Sequence, residues 1–168
     1  PIADSPGHSL VAKVEFTIMS VAKPFVFALV CSVLGPAELR RRVGVNATGL
    51  PFNSLTAVER SADGRTNPMV NPGAIATTSL VPGTGLEERW EFVRDGLSRF
   101  AGRDLSLDGE VFESATATNH RNRAIARLLE GVGALAADPE ETVELYTRLC
   151  SLSVTATDLA LMAASLAD

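Results

Sequence analysis

The stretch Phe16-Thr17-Ile18-Met19-Ser20-Val21-Ala22-Lys23-Pro24-Phe25-Val26-Phe27-Ala28-Leu29-Val30-Cys31-Ser32-Val33-Leu34 decides the fold. From Ser20 to Leu34 the chain is almost wholly apolar over a run too long for an ordinary strand, which predicts a buried helix. Pro24 falls in the first turn, where its missing N–H matters least. Gly35-Pro36 ends the helix. Upstream, Val11, Val14, Phe16 and Ile18 alternate loosely with polar residues over 9–19, predicting a strand or extended segment that leads into Ser20.

Further along, a short helix is expected over Ala37–Arg42. Val43 to Asn71 is rich in Gly, Pro, Asn and Ser and reads as a long irregular loop, of a length that is usually either functional or disordered. Pro72 to Val81 predicts a helix of small residues. Leu86, Trp90, Val93, Leu97 and Phe100 recur at three- and four-residue steps, giving one apolar stripe. A helix over about Asn119 to Leu135 places Ile125, Leu128, Leu129, Val132 and Leu135 on one side. Asp138-Pro139-Glu140-Glu141 opens another helix, with an N-cap, a proline at the first helical position and a glutamate at the third, running to about Ser151. The last covers Asp158 to Leu166.

An apolar content of 46% against 21% charge in 168 residues is enough for one domain with a real core. The net charge is −5 and the basic residues are scattered, which argues against nucleic acid or an anionic membrane as partner. Arg40, Arg41 and Arg42 read as a solvated helix end. The apolar run at 25–34 is too short to span a bilayer. Cys31 and Cys150 lie in apolar helical patterns and make no secreted disulfide framework, so a reducing, cytoplasmic setting is expected. His8 and His120 have no partners at metal-ligand spacing, and neither metal nor cofactor is expected.

Chemistry is most sharply suggested by Ser20-x-x-Lys23, because three residues along a helix bring the two side chains onto adjacent positions of one face. A serine hydroxyl is a weak nucleophile until a neighbouring base takes its proton, and a lysine serves when apolar surroundings lower its pKa. The helix N-terminus favours negative charge near Ser20, where its N–H would form part of an oxyanion hole. Taken alone, a Ser-x-x-Lys is more often a serine N-cap followed by a lysine stretching its ammonium to solvent.

Wider company narrows the choice. Phe16-x-x-Met19-Ser20-Val21-x-Lys23, Gly44-x-x-x-Thr48-Gly49-x-x-Phe52-Asn53-Ser54, Asn67-Pro68-Met69-Val70-Asn71-x-Gly73-Ala74-Ile75, Arg121-Asn122-x-Ala124-Ile125-Ala126, Tyr146-x-x-Leu149-Cys150-Ser151 and Asp158-Leu159-Ala160-x-Met162-Ala163-Ala164 occur in this order. In this the chain resembles the serine-dependent glutaminases over nearly its whole length. The resemblance implies an α/β fold like that of the β-lactamases and penicillin-binding proteins, of which this chain would be mainly the helical domain with little sheet. Residues 1–168 would be a partial glutaminase catalytic domain, the nucleophile helix at 20–34. It further implies that Ser20 attacks the γ-carboxamide of L-glutamine with Lys23 as general base, that Tyr146 relays a proton with Lys23, and that Asn71 and Asn122 hold the amino-acid end. A homo-oligomer is implied as well.

Two departures bear on activity. Where the family has a Ser-Glu pair whose carboxylate meets the substrate's ammonium, this chain reads Ser114-Ala115, with Glu113 two positions away as a candidate substitute; Pro72 replaces the usual alanine. The family also continues past the position of Asp168 into a segment with another active-site tyrosine, a Gly-rich turn and a second oxyanion N–H, so the chain is expected to be a fragment with an exposed apolar docking face. Competing readings are a non-catalytic glutamine or small-ligand binding module, an inactive fragment, and a penicillin-interactive acylase, although no Ser-Asp-Asn element occurs.

Overall fold

A computed structural model describes residues 12–167. In order, the elements are strand β1 (Phe16–Thr17), a single 3-10 turn (Met19–Val21), helices α1 (Ala22–Leu34), α2 (Pro36–Val43), α3 (Thr56–Glu59), α4 (Asn71–Ser79), α5 (Leu86–Ala101), α6 (Gly109–Thr118), α7 (His120–Gly131) and α8 (Pro139–Cys150), strand β2 (Ser153–Val154) and helix α9 (Ala156–Ala164). β1 and β2 pair antiparallel, Phe16 opposite Val154 and Thr17 opposite Ser153. The expected strand is thus two residues long within the described part, and residues 9–11 of the extended stretch lie outside it. Among the described residues no helix is long and apolar enough to cross a membrane.

The centre of the helical packing is α4. Every one of its nine residues is buried, and it packs against α1, α2, α7 and α8. Small side chains let four neighbours approach, and the hydroxyls that come with them are satisfied inside the helix. Thr77 donates to the carbonyl of Gly73 at 2.8 Å, Thr78 to Ala74 at 2.9 Å and Ser79 to Ala76 at 2.7 Å. Such back-bonding lets a polar residue sit in a core without leaving a donor unpaired. Around α4 close Phe25, Val26 and Val30 of α1, Ile125 and Leu129 of α7, and Leu145 and Leu149 of α8, and Val93 and Leu97 of α5 continue the same core.

Helix ends follow their local chemistry. Asp138 accepts from the N–H groups of Glu140 and Glu141, as its sequence predicts. Thr155 and Asp158 form a capping box, so α9 starts two residues before the expected Asp158. Asp158 is also tied to Arg103 at 2.8 Å; this guanidinium, and then the cap donors, hold its carboxyl below the usual range despite burial. That contribution is present at neutral pH and is lost as pH falls through the lowered value. Arg41 and Arg42 form exposed pairs with Glu38 at the end of α2, as a solvated helix end should.

Two expectations are corrected. The helix predicted to reach Leu135 stops at Gly131: Gly133 takes φ +72°, and the Gly133 and Ala134 N–H groups fold back onto the carbonyls of Glu130 and Leu129. The apolar period ran on because Ala134 and Leu135 turn back against the core after the helix has ended. Residues 109–118, to which the sequence reading assigned no element, form α6, capped by Asp108 onto the N–H of Val111. Glycine, threonine and few large apolar residues gave it no stripe, and none of its residues is fully buried. Two helical positions lie about 200° apart, so Glu113 points away from Ala115 and does not replace it.

Gly73 marks the tightest point. A Cβ there would run into the backbone carbonyl of Asn67, in the turn that delivers Asn71. Gly73→Ala is expected to lower unfolding free energy by about 3 kcal/mol in urea titration, because the neighbour is backbone and has little room to give. A loss under about 1 kcal/mol would mean the turn yields easily.

Candidate active site

Ser20 is presented by strained backbone. Ile18 is buried and its N–H donates to the carbonyl of Leu152 at 2.8 Å, extending the β1–β2 pairing by one step. Met19 then takes φ +50°, which among the described residues no other non-glycine side chain does. A bulky unbranched residue in that region is uncommon and persists only where its surroundings hold it. The chain turns through a 3-10 turn into α1, with Ser20 in the middle of the turn, exposed. Neither the 3-10 turn nor α1 has a side-chain cap bond at its start, so the serine is not acting as an N-cap.

One turn later Lys23 is only 5% exposed. Its Nζ donates to the Oδ1 of Asn71 at 2.8 Å and to the carbonyl of Met69 at 3.3 Å; the lysine does not snorkel. Burial pulls its pKa below the ordinary lysine value, opposed by the nearby Cys150 sulfur. The Phe52 ring covers it, with the centroid 5.8 Å from Nζ. Asn71 passes the contact on, its Nδ2 donating to the Oδ1 of Asn122 at 2.9 Å. Tyr146 Oη donates to Asn71 Oδ1 at 3.4 Å, and burial, foremost, pushes the phenol well above its ordinary pKa while Ser20 works against that. The tyrosine therefore keeps its proton at neutral pH. The Cys150 thiol beside it is pushed up to about 11 by burial, against the pull of Lys23 and Tyr146.

Ser20, Asn71, Asn122 and Tyr146 line one cavity of about 180 Å³. Lys23 stands behind its wall and is joined to it through Asn71, whose Oδ1 also accepts from Tyr146. Ala115 also lines the cavity, so the alanine noted in the sequence faces the site. Five lining residues were not singled out in the sequence: Met19, Asn119, Thr147, Cys150 and Ser151. Cys150 and Ser151 lay within the quoted Tyr146 motif, and Met19 within the Ser20 motif. Asn119 and Thr147 carried no sequence signal. A larger open cavity, about 480 Å³, lies between Arg41, Arg42, Arg65 and Asp63. It holds no nucleophile, and its guanidinium groups are paired with Glu38 or Asp63.

The long loop serves this site. Its ends are pinned together by the N–H of Thr66 on Val43 at 2.9 Å and that of Asn46 on Thr66 at 3.0 Å. Asn71 N–H reaches back to the carbonyl of Phe52 at 2.7 Å, and Arg121, beside Asn122, donates to Asn53 at 2.7 Å. Phe52 is thereby held over Lys23.

A glutaminase family model matches residues 7–168. Glutaminase 2 of Yersinia pestis is 63% identical over 154 residues, 92% of this chain and 45% of the relative. Among solved structures, the probable glutaminase YbaS superposes with a TM-score of 0.90 at 39% identity, over 93% of this chain and 50% of that one. The covalent complex of the Bacillus subtilis glutaminase YbgJ with 5-oxo-L-norleucine, formed by reaction with 6-diazo-5-oxo-L-norleucine, superposes with a TM-score of 0.78 at 32% identity, over 90% of this chain and 47% of that one. The chain spans about half the length of the curated relatives it matches. These neighbours share the β-lactamase-like fold, and the described residues are mainly its helices. By its family match and by these relatives, the chain belongs to the glutaminase family.

Proposed function

We propose that residues 1–168 are the nucleophile-bearing, helical part of a glutaminase catalytic domain, and that the reaction is hydrolysis of L-glutamine to L-glutamate and ammonia. The observation that carries this reading is the convergence of Ser20, Asn71, Asn122 and Tyr146 on one cavity, with the buried Lys23 tied to its wall. Ser20 Oγ attacks the γ-carbonyl carbon and its proton passes to neutral Lys23. The C–N bond breaks, ammonia leaves with a proton relayed through the Tyr146 hydroxyl, and a glutamyl ester remains on Ser20. Water then attacks the ester, releasing glutamate and restoring the serine. The backbone N–H of Ser20 is assigned to the developing oxyanion, close to the N-terminus of α1.

The hydrogen bonds of Lys23 suit a base. A neutral amine keeps two N–H donors and gains one lone pair. The carbonyl of Met69 and Oδ1 of Asn71 take the two donors, which orients the lone pair along the remaining tetrahedral direction. Asn71 thus acts on the base as well as on the amino-acid end of the substrate, which Asn122 shares. The free, unbonded Cys31 and Cys150 agree with a reducing cytoplasmic setting, and a homo-oligomer is part of this reading. Ala115 on the cavity wall favours a second reading, glutamine binding without turnover.

Ammonia release by the chain should fall at least about 10³-fold in Ser20→Ala, and 6-diazo-5-oxo-L-norleucine should add one adduct to the Ser20 peptide in intact-mass and peptide mapping. Glutamine binding with neither release nor adduct would replace hydrolysis by the second reading, and an adduct that survives Ser20→Ala would remove Ser20 as nucleophile.

The pH profile follows from the sign of the lysine shift. Protonated Lys23 is inert as a base, so kcat/KM should rise with pH along a limb whose midpoint lies below the ordinary lysine value. Lys23→Met should remove that limb and lower kcat by about 10² to 10⁴-fold. A limb unchanged in the variant would assign the ionisation elsewhere.

A further inference from the structure

Three carboxamides, Asn71, Asn119 and Asn122, line the cavity. Their hydrogen bonds are not equivalent. Asn71 Oδ1 takes Lys23 and Tyr146, and its Nδ2 goes to Asn122 Oδ1. That leaves Asn122 Nδ2 with no partner among the described residues, a donor for an anionic group. Asn119 is the complement. Its Nδ2 donates to Thr147 Oγ1 at 3.1 Å, and Thr147 donates its only hydroxyl proton to the carbonyl of Val143 at 2.7 Å. Because that hydroxyl can only accept from Asn119, the amide orientation is fixed with nitrogen toward Thr147. Asn119 Oδ1 is then buried with no partner among the described residues. A buried acceptor in that state is destabilising and asks for a donor.

We propose that Asn119 is a substrate-positioning residue whose carboxamide oxygen accepts a hydrogen bond from the α-ammonium of the substrate. This rests on the glutamine reading above. Asn119 sits at the junction of α6 and α7, four residues after Ala115 and three before Asn122. The methyl group of Ala115 puts no charge on this wall, and among the described residues no carboxylate lines the cavity. A zwitterionic amino-acid end therefore meets a donor on Asn122 and an acceptor on Asn119, spaced one helical turn apart. Thr147, buried on α8, keeps the amide nitrogen toward itself and so the oxygen on the other side. Recognition of the ammonium by a neutral oxygen is weaker than by a carboxylate and independent of pH until the ammonium itself loses its proton.

The test compares L-glutamine with glutaramate, the same molecule without its α-amino group, by calorimetric titration of the chain in a Ser20→Ala background that prevents turnover. Glutamine is expected to bind about 10-fold tighter than glutaramate, and Asn119→Ala should bring the ratio to about 1 by weakening glutamine alone. Asn119→Asp should raise the ratio above the parent's by about 10-fold, since a charged acceptor strengthens the bond; it also serves if the alanine variant does not fold, for an unchanged or smaller ratio in it overturns the proposal. Equal weakening of both ligands in Asn119→Ala, or an unchanged ratio, would overturn it too, leaving Asn119 a residue that merely braces Thr147. Binding of neither ligand by the parent would overturn the glutamine reading and this inference with it, an outcome distinct from a retained preference.

Discussion

The hydrogen bond from Lys23 Nζ to Asn71 Oδ1, 2.8 Å long, joins the two helices around which the molecule is arranged. An amine so far from water is tolerated only if its donors are met. The partner must come from a chain segment brought close by small side chains, which is why α4 is built of Ala, Gly, Thr and Ser and buried on all sides. Its first residue can then be spent on the lysine, and the second amide atom on Asn122 of α7. Tyr146 of α8 reaches the same oxygen. Four helices thus meet at one side chain, and displacing Asn71 would unpair the donors of Lys23 and Tyr146 and the acceptor of Asn122.

A second constraint acts at Ser20. The bond from Ile18 to Leu152 fixes the strand end, while α1 is fixed by its packing on α2, α4 and α5. Met19 must join the two in three residues' space and takes the left-handed conformation to do so. The strain is retained because both flanks are buried and rigid. Its effect is to leave the serine hydroxyl at the cavity rather than folded onto the helix start. Val14, Phe16, Met19 and Val21 around this turn are exposed.

How legible this was varied with the kind of signal. α1, α5, α8 and the Gly35 stop were readable because long apolar runs, stripes and caps are local. Ser20, Lys23, Asn71, Asn122 and Tyr146 were readable only as members of an ordered set of motifs; taken singly, each had an ordinary explanation. The tie between Lys23 and Asn71 spans 48 positions and has no local trace. α6 was missed since its stability comes from the Asp108 cap and its contact with α8 rather than from an apolar stripe. Asn119 was passed over for a related reason: an asparagine between two helices is ordinary as a cap, and only the bond to Thr147, 28 positions away, shows that its oxygen is left over.

Ala115 bears on the base as well as on the substrate. The charged form of a lysine is favoured by any nearby carboxylate and disfavoured by burial. With no carboxylate lining the cavity among the described residues, burial is the larger influence on Lys23, opposed by the Cys150 sulfur. A glutamate on that wall would strengthen the hold on an ammonium and at the same time raise the pKa of the lysine, keeping it protonated to higher pH. Alanine reverses both effects. Under the proposed glutaminase mechanism, the site would give up electrostatic affinity at the amino end, which the neutral oxygen of Asn119 would restore only in part, and would gain a base free of its proton at lower pH. On that proposal, substrate recognition and activation of Ser20 are coupled through one electrostatic environment, and a change at position 115 acts on both in opposite directions.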